Sequence, residues 1–305
     1  MTTTTFDQTT PTTDTHMLVV RRLLVDLNQP FDRHWNGGSA FRTAFANALS
    51  MSFPMGEQFF IDAVQKGLAL LPSTPEHDAL RKEIKGFVGQ EATHRHLHAR
   101  FNQILTEQGL VNHLQNRIQR RIEIARKLSA NSSERGKALR ELAVTAAYEH
   151  YTAVLGEQIL AIQDAPGDWF LHAQPQVKTL WRWHASEESE HKCIAHDLYQ
   201  ILGGSHSGRL RWFAYVTVLF TLDVTRQTLN NLWHDKTLFS WRTWRDGFEF
   251  FLGRHGLVWR CAGPVAQYLK RDFHPMRVGD SQLARDWLQQ HQHQWSAVNQ
   301  RHQVS

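Results

Sequence analysis

Residues 181–191 read Trp-Arg-Trp-His-Ala-Ser-Glu-Glu-Ser-Glu-His, so His184, Glu188 and His191 stand four and three positions apart. On a helix that spacing places all three side chains on one face. Val177, Leu180, Trp181, Ile194, Ala195, Leu198 and Leu202 continue the same stripe. Two imidazoles and a carboxylate therefore occupy positions where the pattern calls for core residues. Burying a neutral polar group without a partner costs roughly 2–7 kcal/mol, and a charge costs more. A metal ion is the economical compensation.

The interruption recurs upstream. Ser73-Thr74-Pro75-Glu76 is a helix start signal, and the helix it opens, to about Glu107, carries Leu80, Ile84, Phe87 and Val88, then Glu91 and His94, then Leu97, Phe101 and Ile104 on one face. Two more helices each carry a lone inward acid. One is Glu57, within a helical pattern from Ala40 to about Leu71 that Pro54 is expected to kink or restart. The other is Glu149, on a helix from Glu134 to about Ile162 that buries Leu139, Leu142, Ala146, Ala153 and Leu160. Each half of the pattern is a helix with one inward Glu followed by a helix with Glu-x-x-His. A four-helix bundle supplying those groups is the arrangement of ferritin-like di-iron and di-manganese carboxylate sites. The expected fold class is all-α, a ferritin-like four-helix bundle with a two-metal carboxylate site and a C-terminal helical extension. Four carboxylates offset most of the charge of two dications, and imidazole suits iron and, less selectively, manganese or zinc. The cofactor expectation is two iron ions, with manganese or zinc as substitutes.

His184 breaks the symmetry, because Phe87 stands at the corresponding place before Glu91. With it the metal-ligand set reads Glu57, Glu91, His94, Glu149, His184, Glu188 and His191. That set resembles the three-His, four-Glu site of the arylamine N-oxygenase branch of ferritin-like proteins. The segments Phe53-Pro54-Met55-Gly56-Glu57-Gln58-Phe59-Phe60, Gln90-Glu91-Ala92-Thr93-His94 and Phe273-His274-Pro275 also resemble a bacterial family described as predicted metal-dependent hydrolases, over about residues 17–280. The first resemblance implies oxidation of a small organic substrate by dioxygen, and the second implies hydrolysis. No His-Glu-x-x-His motif supports the latter. Three functions follow: a non-haem di-iron oxidase or oxygenase, a two-metal hydrolase using a bridging hydroxide, and a ferroxidase or metal-handling protein. His184 is read as a seventh ligand or as a hydrogen-bond partner of Glu188. His98, one turn beyond His94, is expected to face solvent or to support the ligands. Tyr148 and Tyr151, flanking Glu149, are read chiefly as packing.

The remaining chain is helical in pattern. Residues 1–15 are read as a disordered tail, 16–204 as the di-metal bundle, and 205–305 as a basic, Trp-rich extension packed on it. Met17–Leu27 reads as a short extended or hairpin segment, and Leu110–Leu128 as a basic amphipathic helix. The helix of the opening stretch should end at Gly203-Gly204, further helix should run to about Tyr268, and 281–299 should form a last helix. The formal charge of +5 is uneven: residues 1–204 hold 21 Lys and Arg against 22 Asp and Glu, and residues 205–305 hold 13 against 7. No nucleic-acid reader motif accompanies that basic third, which excludes nucleic acid as the expected partner. Trp212–Leu222 is uncharged but far shorter than the ~20 residues a membrane span needs. Two cysteines, Cys193 and Cys261, and no secretory pattern fit a cytoplasmic protein, with peripheral membrane contact through the last third left open. Expected partners are a small-molecule substrate, O2 and an electron donor the sequence does not name; a homodimer also stays open.

Overall fold

The computed structural model describes residues 18–27 and 29–298. The expected tail over 1–15, and Met17 of the expected extended segment, lie outside them. The order is β1 (Arg21–Leu23), α1 (Ala40–Leu70), α2 (Asp78–Glu107), α3 (His113–Leu128), α4 (Glu134–Ala161), α5 (Pro175–His191), α6 (Ile194–Ile201), α7 (His206–His234), α8 (Trp241–Leu252), α9 (Leu257–Ala266), α10 (Ser281–Gln290) and β2 (Trp295–Ala297). The all-α class holds.

The helix starts follow local chemistry. Ser39, Ser133 and Ser205 each accept a backbone N–H of the first turn through the side chain, as do Asn112 before α3 and Asp280 before α10, satisfying donors a helix start leaves free. α1 packs against α2 and α4, and α4 against α5, which gives the four-helix bundle. α7 lies on α1 and α4, α3 on α1 and α7, α8 on α1, α9 on α4, and α10 on α5 and α4.

Several expectations need correction. Pro54 does not interrupt α1, which runs unbroken past it. The proline removes the N–H that would reach the Ser50 carbonyl, and Asn102 of α2 replaces it, donating from Nδ2 to Ser50 O at 2.9 Å. The helix of the opening stretch stops at His191 rather than Gly203; two residues, Lys192 and Cys193, separate α5 from α6. The Lys192 ammonium donates to the Val278 carbonyl at 2.8 Å at that break. The last helix ends at Gln290, not 299, because Trp295–Ala297 leaves it to pair antiparallel with Arg21–Leu23, Arg21 opposite Ala297. The extended segment near the start thus finds its partner at the far end of the chain rather than in a hairpin.

Of the seven tryptophans after residue 204, Trp287 is buried, Trp212 and Trp295 are half-buried, and Trp233, Trp241, Trp244 and Trp259 are exposed. Packing on the bundle therefore accounts for only part of that aromatic content. Among the described residues no helix is long and apolar enough to cross a membrane.

The Asn102 bridge gives a test of the fold. Asn102→Leu leaves the Ser50 carbonyl unsatisfied inside the bundle, and the expected loss is about 1–3 kcal/mol, read from urea unfolding of metal-free protein. An unchanged midpoint would show that α1 tolerates Pro54 without this bond.

Candidate metal centre

The bundle brings the expected residues together from four helices: Glu57 on α1, Glu91, His94 and His98 on α2, Glu149 on α4, and His184, Glu188 and His191 on α5. All are buried, none more than 5% exposed. Glu188 is the hub. Its Oε1 lies 2.8 Å from His184 Nε2, 3.5 Å from His94 Nδ1 and 3.9 Å from His191 Nε2. His184 Nε2 is also 3.7 Å from Glu57 Oε1, and His191 stands 3.4 Å from Glu91 Oε1 and 3.0 Å from Glu149 Oε2. Within this cluster, two groups of donor atoms are close enough to share a cation, Glu91 with His94, Glu188 and His191, and Glu57 with His94 and His184. Glu149 belongs to neither and reaches the cluster through His191. Close packing of α4 on α5 depends on Gly156, where a Cβ would sit 3.0 Å from the Ala185 carbonyl oxygen.

The hydrogen bonds fix which ring nitrogen is free. Asn102 Nδ2 is committed to the Ser50 carbonyl, so Asn102 Oδ1 accepts from the Ser50 hydroxyl at 2.8 Å. The Ser50 oxygen must then accept from His98 Nδ1, also at 2.8 Å. Burial and the neighbouring rings of His184 and His94 hold His98 neutral, so its Nε2 accepts from His184 Nδ1 at 2.7 Å. Burial, with the His94 charge, pushes His184 down to about 4. A neutral His184 donating from Nδ1 presents a lone pair on Nε2, aimed at the oxygens of Glu188 and Glu57. A lone pair facing carboxylates is repulsive unless a cation lies between them. His98 is therefore buried and orienting: of its two expected placements the supporting one holds and the solvent-facing one does not.

On the other side, His94 Nε2 donates to Glu187 Oε2 at 2.9 Å, leaving Nδ1 turned inward. Glu187 in turn accepts from Arg21 at 3.0 Å, and Arg21 also binds Glu190, at 2.6 Å from NH1. Glu190 accepts from Gln90 as well, at 2.9 Å. Glu187, Arg21, Glu190 and Gln90 were not anticipated from sequence. Glu187 lies off the face that His184, Glu188 and His191 share, yet α5 is buried nearly all round, with α10 packed against it. Arg21 lies 166 residues from its partner, beyond any local pattern. Rings close the cluster from outside: Phe53 against His98 and His184, Phe87 against His191, and Trp183 against His94, each 4.7–5.1 Å between centroids. Neither tyrosine hydrogen-bonds to the cluster: Tyr151 donates to Thr217 on α7 at 2.8 Å, and Tyr148 packs between Phe60 and Phe220. His150 turns away, toward the Val265 carbonyl at 3.3 Å.

The charges are arranged as a cation site requires. Burial, reinforced for Glu91 by Glu188 and Glu149, raises Glu57 and Glu91 well above the usual carboxyl range. Burial also raises Glu149, to about 7, against the pull of His191. Glu188 goes the other way: burial opposes its charge, but His191 and His94 hold it well below its ordinary value. Against the cost of burial, Glu187 and Glu188 raise His94 to about 10. Even so, both oxygens of Glu57 and of Glu91, Glu149 Oε1, Glu188 Oε2, His94 Nδ1 and His191 Nε2 are buried without a hydrogen-bond partner. Natural cores pair such atoms almost without exception. Their convergence, as hard oxygen and imidazole donors, fits divalent cations.

A helical bundle lined inside by carboxylate and imidazole defines a class, the metal-dependent proteins that hold their ions between helices. The chain belongs to the family described as "predicted metal-dependent hydrolase", whose model matches residues 19–279. Comparison with curated proteins and with solved structures gives no significant match.

Two outcomes follow. A carboxyl with a raised folded pKa favours the neutral form, so its stabilising contribution is full below the unfolded value and lost as pH rises through the folded one. Metal-free protein should therefore weaken as pH climbs through about 7, where Glu149 loses its proton, while metal affinity should increase over the same range because binding displaces that proton. Calorimetric titration at pH 6, 7 and 8 in buffers of different ionisation enthalpy reads both the affinity and the released protons. Separately, Glu187→Gln keeps the shape but weakens the grip on His94, and metal affinity should fall about 10–100-fold; unchanged affinity would remove Glu187 from the site.

Proposed function

We propose that Glu57, Glu91, His94, Glu149, His184, Glu188 and His191 hold two metal ions in a ferritin-like carboxylate site, and that the protein is a di-iron oxidase or oxygenase acting on a small organic substrate. The observation that carries this reading is the set of eight buried donor atoms without partners, drawn from four helices onto one point. Reduced iron held there would supply electrons to dioxygen. The protein's own part is to orient and to exclude. The Asn102–Ser50–His98 chain fixes the His184 tautomer, and Arg21 through Glu187 fixes that of His94. Glu188, kept ionised, gives a negative centre, whereas Glu57 and Glu91, pushed toward the protonated form by burial, would exchange a proton for a cation. Phe53, Phe87 and Trp183 keep bulk water from the donor atoms, which strengthens every electrostatic interaction inside.

Hydrolysis is the second reading, and the family's description favours it. It needs a bridging hydroxide as nucleophile and a route for water. Favouring oxidation instead, the cavity that reaches Glu57 is lined chiefly by aromatic and aliphatic side chains.

The experiment loads the protein anaerobically with Fe(II), admits O2 and follows the visible spectrum, with ester hydrolysis under Mn(II) or Zn(II) in parallel. Oxidation predicts a transient colour and oxygen consumption. Colourless ester turnover without oxygen consumption would replace it with the hydrolytic reading. Glu188→Ala should lower both metal stoichiometry and stability, since three imidazoles lose their common partner; retention of two metals per chain would remove Glu188 from the set.

A further inference from the structure

A cavity of about 400 Å³ lies between α1, α3, α4 and α7, with Glu57 in its wall. Phe53, Phe59, Phe60, Val144, Tyr148 and Phe220 make it apolar. Its charged lining is almost fully paired. Lys66 binds Glu141 at 2.6 Å, Arg121 binds both oxygens of Asp223, and Arg126 faces Asp62 at 3.8 Å. Two charged side chains remain: Glu57, which belongs to the proposed metal centre, and Arg140, which has no carboxylate partner among the described residues.

Arg140 is half-buried, and Leu128, also in the lining, is 84% exposed, which marks this end as the mouth. From Arg140 to Tyr148, both in the lining, is eight residues of helix, about 12 Å of rise. Val144 and Tyr148 stand one and two turns along that path. An unpaired guanidinium on the rim, an apolar lining and Glu57 in the wall are complementary to an amphiphile with a single anionic head. Arginine's planar fork matches a carboxylate in particular.

We propose that this cavity binds an apolar monocarboxylate, with its carboxylate on Arg140 and its hydrocarbon body along Val144 and Tyr148 toward Glu57. The assignment of this molecule as substrate rests on the metal centre proposed above; its binding does not.

Decanoate and decanol serve as probes, titrated calorimetrically into metal-free and metal-loaded protein with metal content measured in parallel. Decanoate should bind both forms. Arg140→Gln, at a half-buried position on the rim, should weaken decanoate about tenfold, the value of a charge-assisted hydrogen bond, and leave decanol within twofold. Val144→Trp should abolish binding of both probes in protein whose helical circular dichroism is unchanged. Failure of decanoate to bind, equal effects of Arg140→Gln on the two probes, or full binding to folded Val144→Trp protein would each overturn the proposal. Decanoate binding to protein that takes up no metal would sustain the cavity assignment while sinking the metal centre, and metal uptake without decanoate binding would do the reverse.

Discussion

Acid side chains in a dry core are the constraint from which the rest of this structure follows. Glu57, Glu91, Glu149, Glu187 and Glu188 are all essentially inaccessible to water. Only some of their charge is met by protein cations: Arg21 serves Glu187, and the imidazoles of His94 and His191 serve Glu188 and Glu149. A bundle built to be stable alone would fill these positions with leucine, since well-packed apolar residues equal or exceed buried ion pairs in stability. Retaining them makes sense when a ligand returns the free energy, and binding to the folded state alone stabilises by mass action. The same argument explains why titration inside the cluster is split. Glu188, beside the His94 and His191 imidazoles, is ionised; Glu57 and Glu91, pushed toward the protonated form by burial and by neighbouring carboxylates, carry protons a cation can displace.

The two sides of the cluster are braced differently. His94 is held by an ionic chain, Glu187 to Arg21, which ties the strand at Arg21–Leu23 and through it the chain's far end to the site. His184 is held by a neutral chain ending at Asn102. Asn102 does two things at once: its nitrogen satisfies the carbonyl that Pro54 leaves open, and its oxygen sets the direction of every proton from Ser50 to His184. Pro54 is thus linked to the orientation of a candidate ligand on another helix, although it touches none of the donor atoms itself by hydrogen bond.

Much of this was legible in sequence because helical spacing is short-ranged and regular. Glu91 with His94 and Glu188 with His191 announce a common face at three residues, and lone acids among Leu142, Ala146 and Ala153 stand out against a core stripe. What sequence could not give was the outer layer. Helical spacing singles out no role for Glu187, because the one-face rule attends to a single side, whereas α5 is covered on its other side by α10 and the N-terminal segment. Pro54 looked like a break because a local rule cannot see Asn102 arriving from α2. Trp295–Ala297 fits a helical continuation of α10 and becomes a strand only because Arg21–Leu23 presents an edge. In each case a contact more than forty residues away overrules a local preference.

The last third of the chain supplies one wall of the cavity as well as cover for the bundle. Without α7, which contributes Phe220, Leu219 and Asp223, the groove beside Glu57 would stand open along α1 and α4. Asp223 neutralises Arg121, so α3 can lie over the groove without adding an uncompensated charge to its lining. That pairing is what leaves Arg140 distinctive: of the four cations around the cavity, it is the one whose charge is not already spent on a neighbouring carboxylate of the described chain. A four-helix bundle with its metal ligands alone would offer dioxygen or water the same access as any organic molecule. Adding α3 and α7 gives the donor cluster an apolar antechamber with a charged rim, and the proposed selection of an amphiphile by shape and head-group charge rests on that wall.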